Sequence, residues 1–119
     1  MKCLDTYVLA EIAEGNKNFF SYLTEEFVIT ELTLVEFYWV LLRDANMETA
    51  DQWYAKLKPY TVAIPVDLMI AAMRFRRQHK SKNFSFFDCA GYIFSIENNI
   101  LFVTGDKEFE HFKGIEFRK

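Results

Sequence analysis

The chain has 119 residues, 51% of them hydrophobic and 18% aromatic, which predicts one domain over residues 1–119 with a single core and leaves no room for two. Thirteen phenylalanines argue for a packed globule and exclude a disordered tail. With 14 Lys and Arg against 17 Asp and Glu the formal charge is −3, so no global positive field marks a nucleic-acid binder, although a bound cation or a local basic patch can supply the missing charge.

The opening "KCLDTYVL" predicts a short strand that halts at Asp5, followed by a helix over 8–14. In "NKNFFSYLTEE", Phe19, Phe20 and Leu23 fall at helical spacing and predict a second short helix. "FVIT" predicts a compact buried strand and "TLVEFYWVLLRDA" a strongly apolar helix. An amphipathic helix follows in "METADQWYAKL" and stops before Pro59, because a residue ahead of proline is pushed out of helical conformation. "TVAIPV" predicts a third strand that Pro65, lacking an N–H for the ladder, confines to an edge or a strand end.

Asp67 is the predicted N-cap of the helix in "LMIAAMRFRRQHK", and Ser85 that of the helix in "FFDCAGYIFSIENN". Ile100 to Thr104 predicts a fourth strand, with "IEFRK" as an optional fifth. Short apolar strands separated by helices predict a three-layer α/β/α fold around a mostly parallel sheet of four to five strands.

Cys3 and Cys89 lie far apart with no C-x-x-C spacing and no signal peptide ahead of them, so a reduced, cytoplasmic protein is expected. No apolar run reaches the roughly 18 to 20 residues of a membrane helix, and no membrane partner is expected. The glycine loops G-x-x-x-x-G-K and G-x-G-x-x-G are absent, and His79 and His111 are the only histidines.

Four acids stand where open α/β sheets gather functional groups, at carboxyl ends of strands or in first turns of helices: Asp5, Glu36, Asp88 and Asp106. Each has a bland explanation. Asp5 caps the next helix, Asp106 serves the turn before "KEFEHF", Glu36 closes a capping box opened by Thr33, and Asp88 closes one opened by Ser85. Taken together these explanations weaken, and Asp88 sits in the apolar stretch "FSFFDCAGYIF", where an uncompensated carboxylate is costly. Carboxylates brought together repel, and a hard divalent cation removes that conflict; oxygen donors suit Mg²⁺ or Mn²⁺ better than Zn²⁺.

In order, "CLDTYVL", "ITELTLVEF", "FSFFDCAGYI" and "ILFVTGDKEFE" resemble the PIN-domain ribonucleases, and among them the small VapC-type toxins, over nearly the whole chain. The resemblance implies a ribonuclease using Mg²⁺ or Mn²⁺, with Asp5, Glu36, Asp88 and Asp106 as its acids and Thr104 as the hydroxyl beside the last of them. It places Phe109 as the following aromatic and Thr6 as the small polar neighbour of the first acid. An antitoxin protein and a homodimer are the partners it implies. The helix after Asp88 departs from the family's alanine-rich pattern at Gly91, Tyr92 and Phe94, and Glu31 and Glu108 are additional acids nearby.

The expected chemistry is hydrolysis of an RNA phosphodiester, with Asp5, Asp88 and Asp106 holding the metal directly or through water. Glu36 completes the cluster or orients the attacking water, and Thr104 and Thr6 support it. "RFRRQHKSK" is the one dense basic run; it is either a solvated helix end or a phosphate-binding segment in which Arg76 and Arg77 contact RNA. Trp39, Trp53 and Tyr54 either pack in the core or leave an aromatic surface for a partner.

Two rival readings remain at this level. "LDTYV" and "TGDK" distantly resemble motifs of haloacid-dehalogenase phosphohydrolases, whose chemistry wants a second Asp where this chain has Tyr7. A non-catalytic interaction module on the same fold is the other, and convergence of the acids is what separates it from an enzyme.

Overall fold

A computed structural model describes all residues, 1–119. Five strands, β1 (Lys2–Leu4), β2 (Phe27–Thr30), β3 (Thr61–Val62), β4 (Leu101–Thr104) and β5 (Ile115–Phe117), form one sheet in the order β3-β2-β1-β4-β5. Every neighbouring pair is parallel, so the sheet is wholly rather than mostly parallel and the fifth strand is present. Register is set at the centre, where Lys2 faces Phe27 on one side and Leu101 on the other, and Leu4 faces Val103.

Five α-helices connect these strands: α1 (Thr6–Ala13), α2 (Glu31–Asp44), α3 (Met47–Leu57), α4 (Val66–Gln78) and α5 (Phe86–Glu97). Short 3₁₀ segments cover Lys17–Leu23, Lys58–Tyr60 and Lys107–Phe109, so the helix expected in "NKNFFSYLTEE" is the tighter form. Side chains of successive strand residues leave opposite faces of the sheet, which splits the core in two. Leu4 and Val103 join Leu9, Phe37 and Leu57 beneath α1 to α3, whereas Cys3 and Phe102 join Cys89, Tyr92 and Phe109 beneath α4 and α5. Phe19, Phe37, Phe102 and Phe109 are each fully buried, and burial of such a side chain is worth about 1.5–3 kcal/mol. No helix is long and apolar enough to cross a membrane.

Several boundaries differ from the sequence reading, and local chemistry explains them. The N-cap of α2 is Thr30, whose hydroxyl accepts from the Thr33 N–H at 3.0 Å, so Thr33 opens no capping box and Glu36 lies inside the helix. α4 begins after Pro65, whose fixed φ of −62° sets up the first turn without a side-chain cap; Asp67 is inside that turn, where the helix dipole favours an acid. The third strand is only Thr61–Val62, at the sheet edge, as a nearby proline requires. Ser85 caps α5 as expected, in a capping box with Asp88.

Candidate active site

Strand order reverses beside β1, because β2 and β3 extend to one side and β4 and β5 to the other. Ligands of open α/β sheets sit at such a switch point, outside the carboxyl ends of the strands. Asp5 follows β1 there. Its N–H donates to Val103 O at 3.0 Å, continuing the β1–β4 ladder by one residue and fixing the acid beside Thr104.

Asp5 is only 4% exposed. Its Oδ1 accepts from the Thr6 N–H at 2.8 Å, so it does cap α1, and its Oδ2 accepts from the Thr104 hydroxyl at 2.8 Å. Thr104 in turn accepts from the Asp106 N–H at 3.1 Å, which ties the ends of both central strands together. The Thr6 hydroxyl donates to Glu36 Oε1 at 2.5 Å, bridging α1 to α2. Asp88 Oδ2 accepts from the Ser85 N–H at 3.1 Å, while the Ser85 hydroxyl accepts from the Asp88 N–H at the same distance.

These supports bring one oxygen each of Asp5, Glu36 and Asp88 within 4.8 Å of one another. Asp106 stands beside this trio and caps the turn that follows, accepting from the Glu108 N–H at 2.9 Å. No Lys, Arg or His lies at ion-pair distance from any of the four. Burial, followed by the charges of Asp88 and Glu36, pushes the Asp5 carboxyl up to about 8. Burial also raises Asp88, with Asp106 adding to it, and raises Glu36, with Asp88 adding to it. A helix cap alone requires no such convergence.

The donor set is all oxygen. His79 packs on the Phe75 ring with centroids 4.3 Å apart, His111 is exposed, and burial pushes the Cys89 thiol up to about 12. Three converging carboxylates without nitrogen or sulfur fit Mg²⁺ or Mn²⁺ and disfavour Zn²⁺. Tyr7, where a haloacid-dehalogenase phosphohydrolase wants its second acid, instead lays its ring on Gly105: a Cβ there would stand 2.2 Å from Tyr7 Cε1. That contact constrains the turn carrying Asp106, and no sequence pattern in one chain announces it.

The remaining candidates lie around this centre. Glu31 Oε1 accepts from the Ile64 N–H at 3.4 Å and is occupied with the chain entering α4, whereas Glu108 pairs with Lys82 at 3.5 Å. A cleft of about 440 Å³ opens at the end of α4, where Met73 and Phe84 join Arg76, Arg77, Lys80, Lys82 and Asn83 in its lining. Across the molecule, Val35 and Trp39 are exposed on α2, and Leu34, Tyr38, Asp51 and Tyr54 help line a cleft of about 300 Å³ between α2 and α3. Trp53 is half-buried, its ring edge-on to Phe37 at 5.8 Å.

Known structures reproduce this architecture. VapC20 of Mycobacterium tuberculosis, a sarcin-ricin loop cleaving toxin, superposes with a TM-score of 0.83 over 100% of both chains at 17% identity. A chain of a toxin-antitoxin complex from Klebsiella pneumoniae gives 0.77 over 98% of this chain and 96% of its own at 14% identity. VapBC2 from Rickettsia felis, bound to a promoter DNA fragment, gives 0.77 over 99% and 98%, also at 14% identity. At such identities these matches speak for the fold alone, and no curated protein sequence matches the chain. The PIN domain family model, however, matches residues 2–115, and on that match over nearly its whole length the chain belongs to the PIN domain family.

Proposed function

We propose that this protein is a metal-dependent endoribonuclease and the toxin of a toxin–antitoxin pair. The observation that carries the reading is the convergence of Asp5, Glu36 and Asp88 within 4.8 Å with no cation of the chain to neutralise them. Asp5 and Asp88 would hold Mg²⁺ or Mn²⁺, with Glu36 completing the set and Asp106 joining from the side facing Asp88, directly or through water. Such an ion supplies charge compensation and Lewis acidity at a phosphodiester.

The chain's own residues do the rest. Thr104 and Thr6 hold Asp5 and Glu36 in place by the bonds described above. Glu36 keeps Oε2 free of intramolecular donors and is assigned to orient the attacking water. Arg76 and Arg77 are assigned to RNA phosphates, which an acidic protein needs if its substrate is to approach. The kinship with structures from toxin–antitoxin complexes supports an antitoxin partner, and the exposed Val35, Trp39 and Tyr54 offer it, or a second copy, an apolar surface. Two buried thiols and no disulfide suit a cytoplasmic protein.

Total cellular RNA incubated with purified protein and Mg²⁺, Mn²⁺ or chelator is expected to show new ends that depend on metal and vanish with Asp5→Asn. RNA left intact under every metal condition, together with no metal binding at the acids, would leave a non-catalytic PIN-fold module as the answer.

A further inference from the structure

Five cations crowd into one stretch of chain, Arg74, Arg76, Arg77, Lys80 and Lys82, and four of them line the cleft at the end of α4. They are not equivalent. Arg76 Nε donates to the carbonyl of Phe84 at 3.0 Å, whereas no side-chain hydrogen bond or ion pair restrains Arg77 or Lys80. Lys82 is drawn toward Glu108 at 3.5 Å.

The anchor of Arg76 is rigid. Phe84 is 4% exposed and its ring stacks on Phe109 at 4.2 Å, so the carbonyl that receives Nε belongs to a fixed residue. A guanidinium is planar, and fixing Nε fixes the direction of its two terminal nitrogens. Those nitrogens have no partner in the chain, and the residue is exposed to the cleft. Bidentate N–H groups presented this way match two oxygens of a phosphate, and little side-chain entropy remains to be lost on binding.

The cleft is also joined to the acids. Phe84 precedes Ser85, whose N–H is bonded to Asp88, and Lys82 pairs with Glu108, whose N–H is bonded to Asp106. The basic cleft is therefore linked to the carboxylate cluster through the first turn of α5, which carries Asp88, and the turn that carries Asp106. Only Phe84 and Ser85 stand between the Arg76 bond and Asp88, so a strand whose scissile bond lay over the acids would carry a neighbouring backbone phosphate toward the cleft.

The geometry points to Arg76 as a pre-oriented fork for one backbone phosphate of the RNA next to the cleaved bond, with Arg77 and Lys80 supplying screened, mobile charge around it and Lys82 held toward Glu108. This inference rests on the ribonuclease reading and deepens it: one residue of the basic run gives geometry, the others only field. Phosphate-backbone binding by charge alone would make Arg76 and Arg77 interchangeable.

Binding of an end-labelled single-stranded RNA to chelator-treated protein, measured over a series of salt concentrations, separates the two. Arg76→Lys keeps the charge but cannot form the fork; it is expected to weaken binding about tenfold with the salt slope unchanged. Arg77→Lys, which leaves a mobile charge in place of another, is expected to weaken binding by less than about twofold, also with the slope unchanged. Arg76→Gln and Arg77→Gln should each flatten the logarithmic salt slope by roughly 0.7, the value for one single-strand phosphate contact. Mn²⁺ affinity, read in parallel by titration, should be the same in Arg76→Lys as in the unaltered protein.

Equal affinities for Arg76→Lys and Arg77→Lys would overturn the inference while leaving metal-dependent cleavage of RNA standing. A loss of Mn²⁺ affinity in Arg76→Lys would also overturn it, by showing Arg76 to be a strut for Ser85 and Asp88. Unaltered protein that neither cuts nor binds RNA would remove the ribonuclease reading and this inference with it.

Discussion

Asp5 accepts two hydrogen bonds that favour its charged form, yet burial and two neighbouring carboxylates outweigh them and hold it protonated well above the ordinary value of 3.8. An acid whose folded pKa is raised above its unfolded one favours folding most at low pH, and that contribution is lost as pH rises toward the folded value. For Asp5 the window runs from 3.8 to about 8. Asn mimics the protonated acid, so metal-free protein is expected to melt progressively below Asp5→Asn as pH is raised from about 5 to about 8. Mg²⁺ or Mn²⁺ should reverse the difference for the unaltered protein only, and a pH-independent gap in melting temperature would sink this account. Thr104→Val, nearly isosteric, removes the donor to Asp5 and the acceptor for the Asp106 N–H in one step. A loss of about 1–3 kcal/mol in chemical denaturation and a fall in cleavage are expected, as for any buried polar group left unpaired.

At the level of elements, α5 carries both one acid of the cluster and the reason it can lie where it does. Ser85 caps the helix and Asp88 answers it with Oδ2, so the side chain that closes the capping box is also the one that joins Asp5 and Glu36 in the carboxylate cluster. Ser85→Ala should lower stability by about 1 kcal/mol and, by releasing Asp88, weaken metal affinity measured by titration; unchanged affinity would show that packing alone orients the acid. Gly91, out of keeping with an alanine-rich helix, is explained by β4: a Cβ there would come within 2.7 Å of Phe102 Cε1. Gly91→Ala is expected to destabilise by about 1–3 kcal/mol through overpacking, and Phe102→Leu to recover part of that loss in a double-mutant cycle. Additive losses would mean the helix shifts rather than the ring. Tyr92 uses its hydroxyl on Lys113 O at 2.6 Å, which fastens the same helix to the loop before β5.

Across the whole molecule, a basic cleft and an apolar patch lie on different helices. The net −3 chain places four of its fourteen Lys and Arg in the cleft at the end of α4, while α2 and α3 display Val35, Trp39 and Tyr54. Trp39 is 58% exposed and contributes little to the core, so Trp39→Ser should leave stability within about 0.5 kcal/mol. If that surface joins two copies, sedimentation of the unaltered protein will show a dimer that the variant disperses; identical sedimentation of the two would assign the surface to another partner or to none.

The sequence by itself determined the architecture, because short apolar strands alternating with amphipathic helices admit few arrangements other than a parallel sheet covered on both faces. It also named Asp5, Asp88 and Asp106, since strand ends and first helical turns are local features that cap and turn residues mark, and it named Glu36 as well, although Glu36 lies inside α2 rather than in its first turn. Which acids converge was decided only in three dimensions. Glu36 reaches Asp5 and Asp88 from inside α2, which is capped by Thr30 rather than Thr33, and Thr6 holds it from another helix, while Asp106 stays at the flank. The ring of Tyr7 on Gly105 and the Arg76 bond to Phe84 O were equally invisible along the chain. Local periodicity reports how a segment folds, but a site made by residues scores of positions apart depends on packing between segments, and one sequence records that packing only in its result.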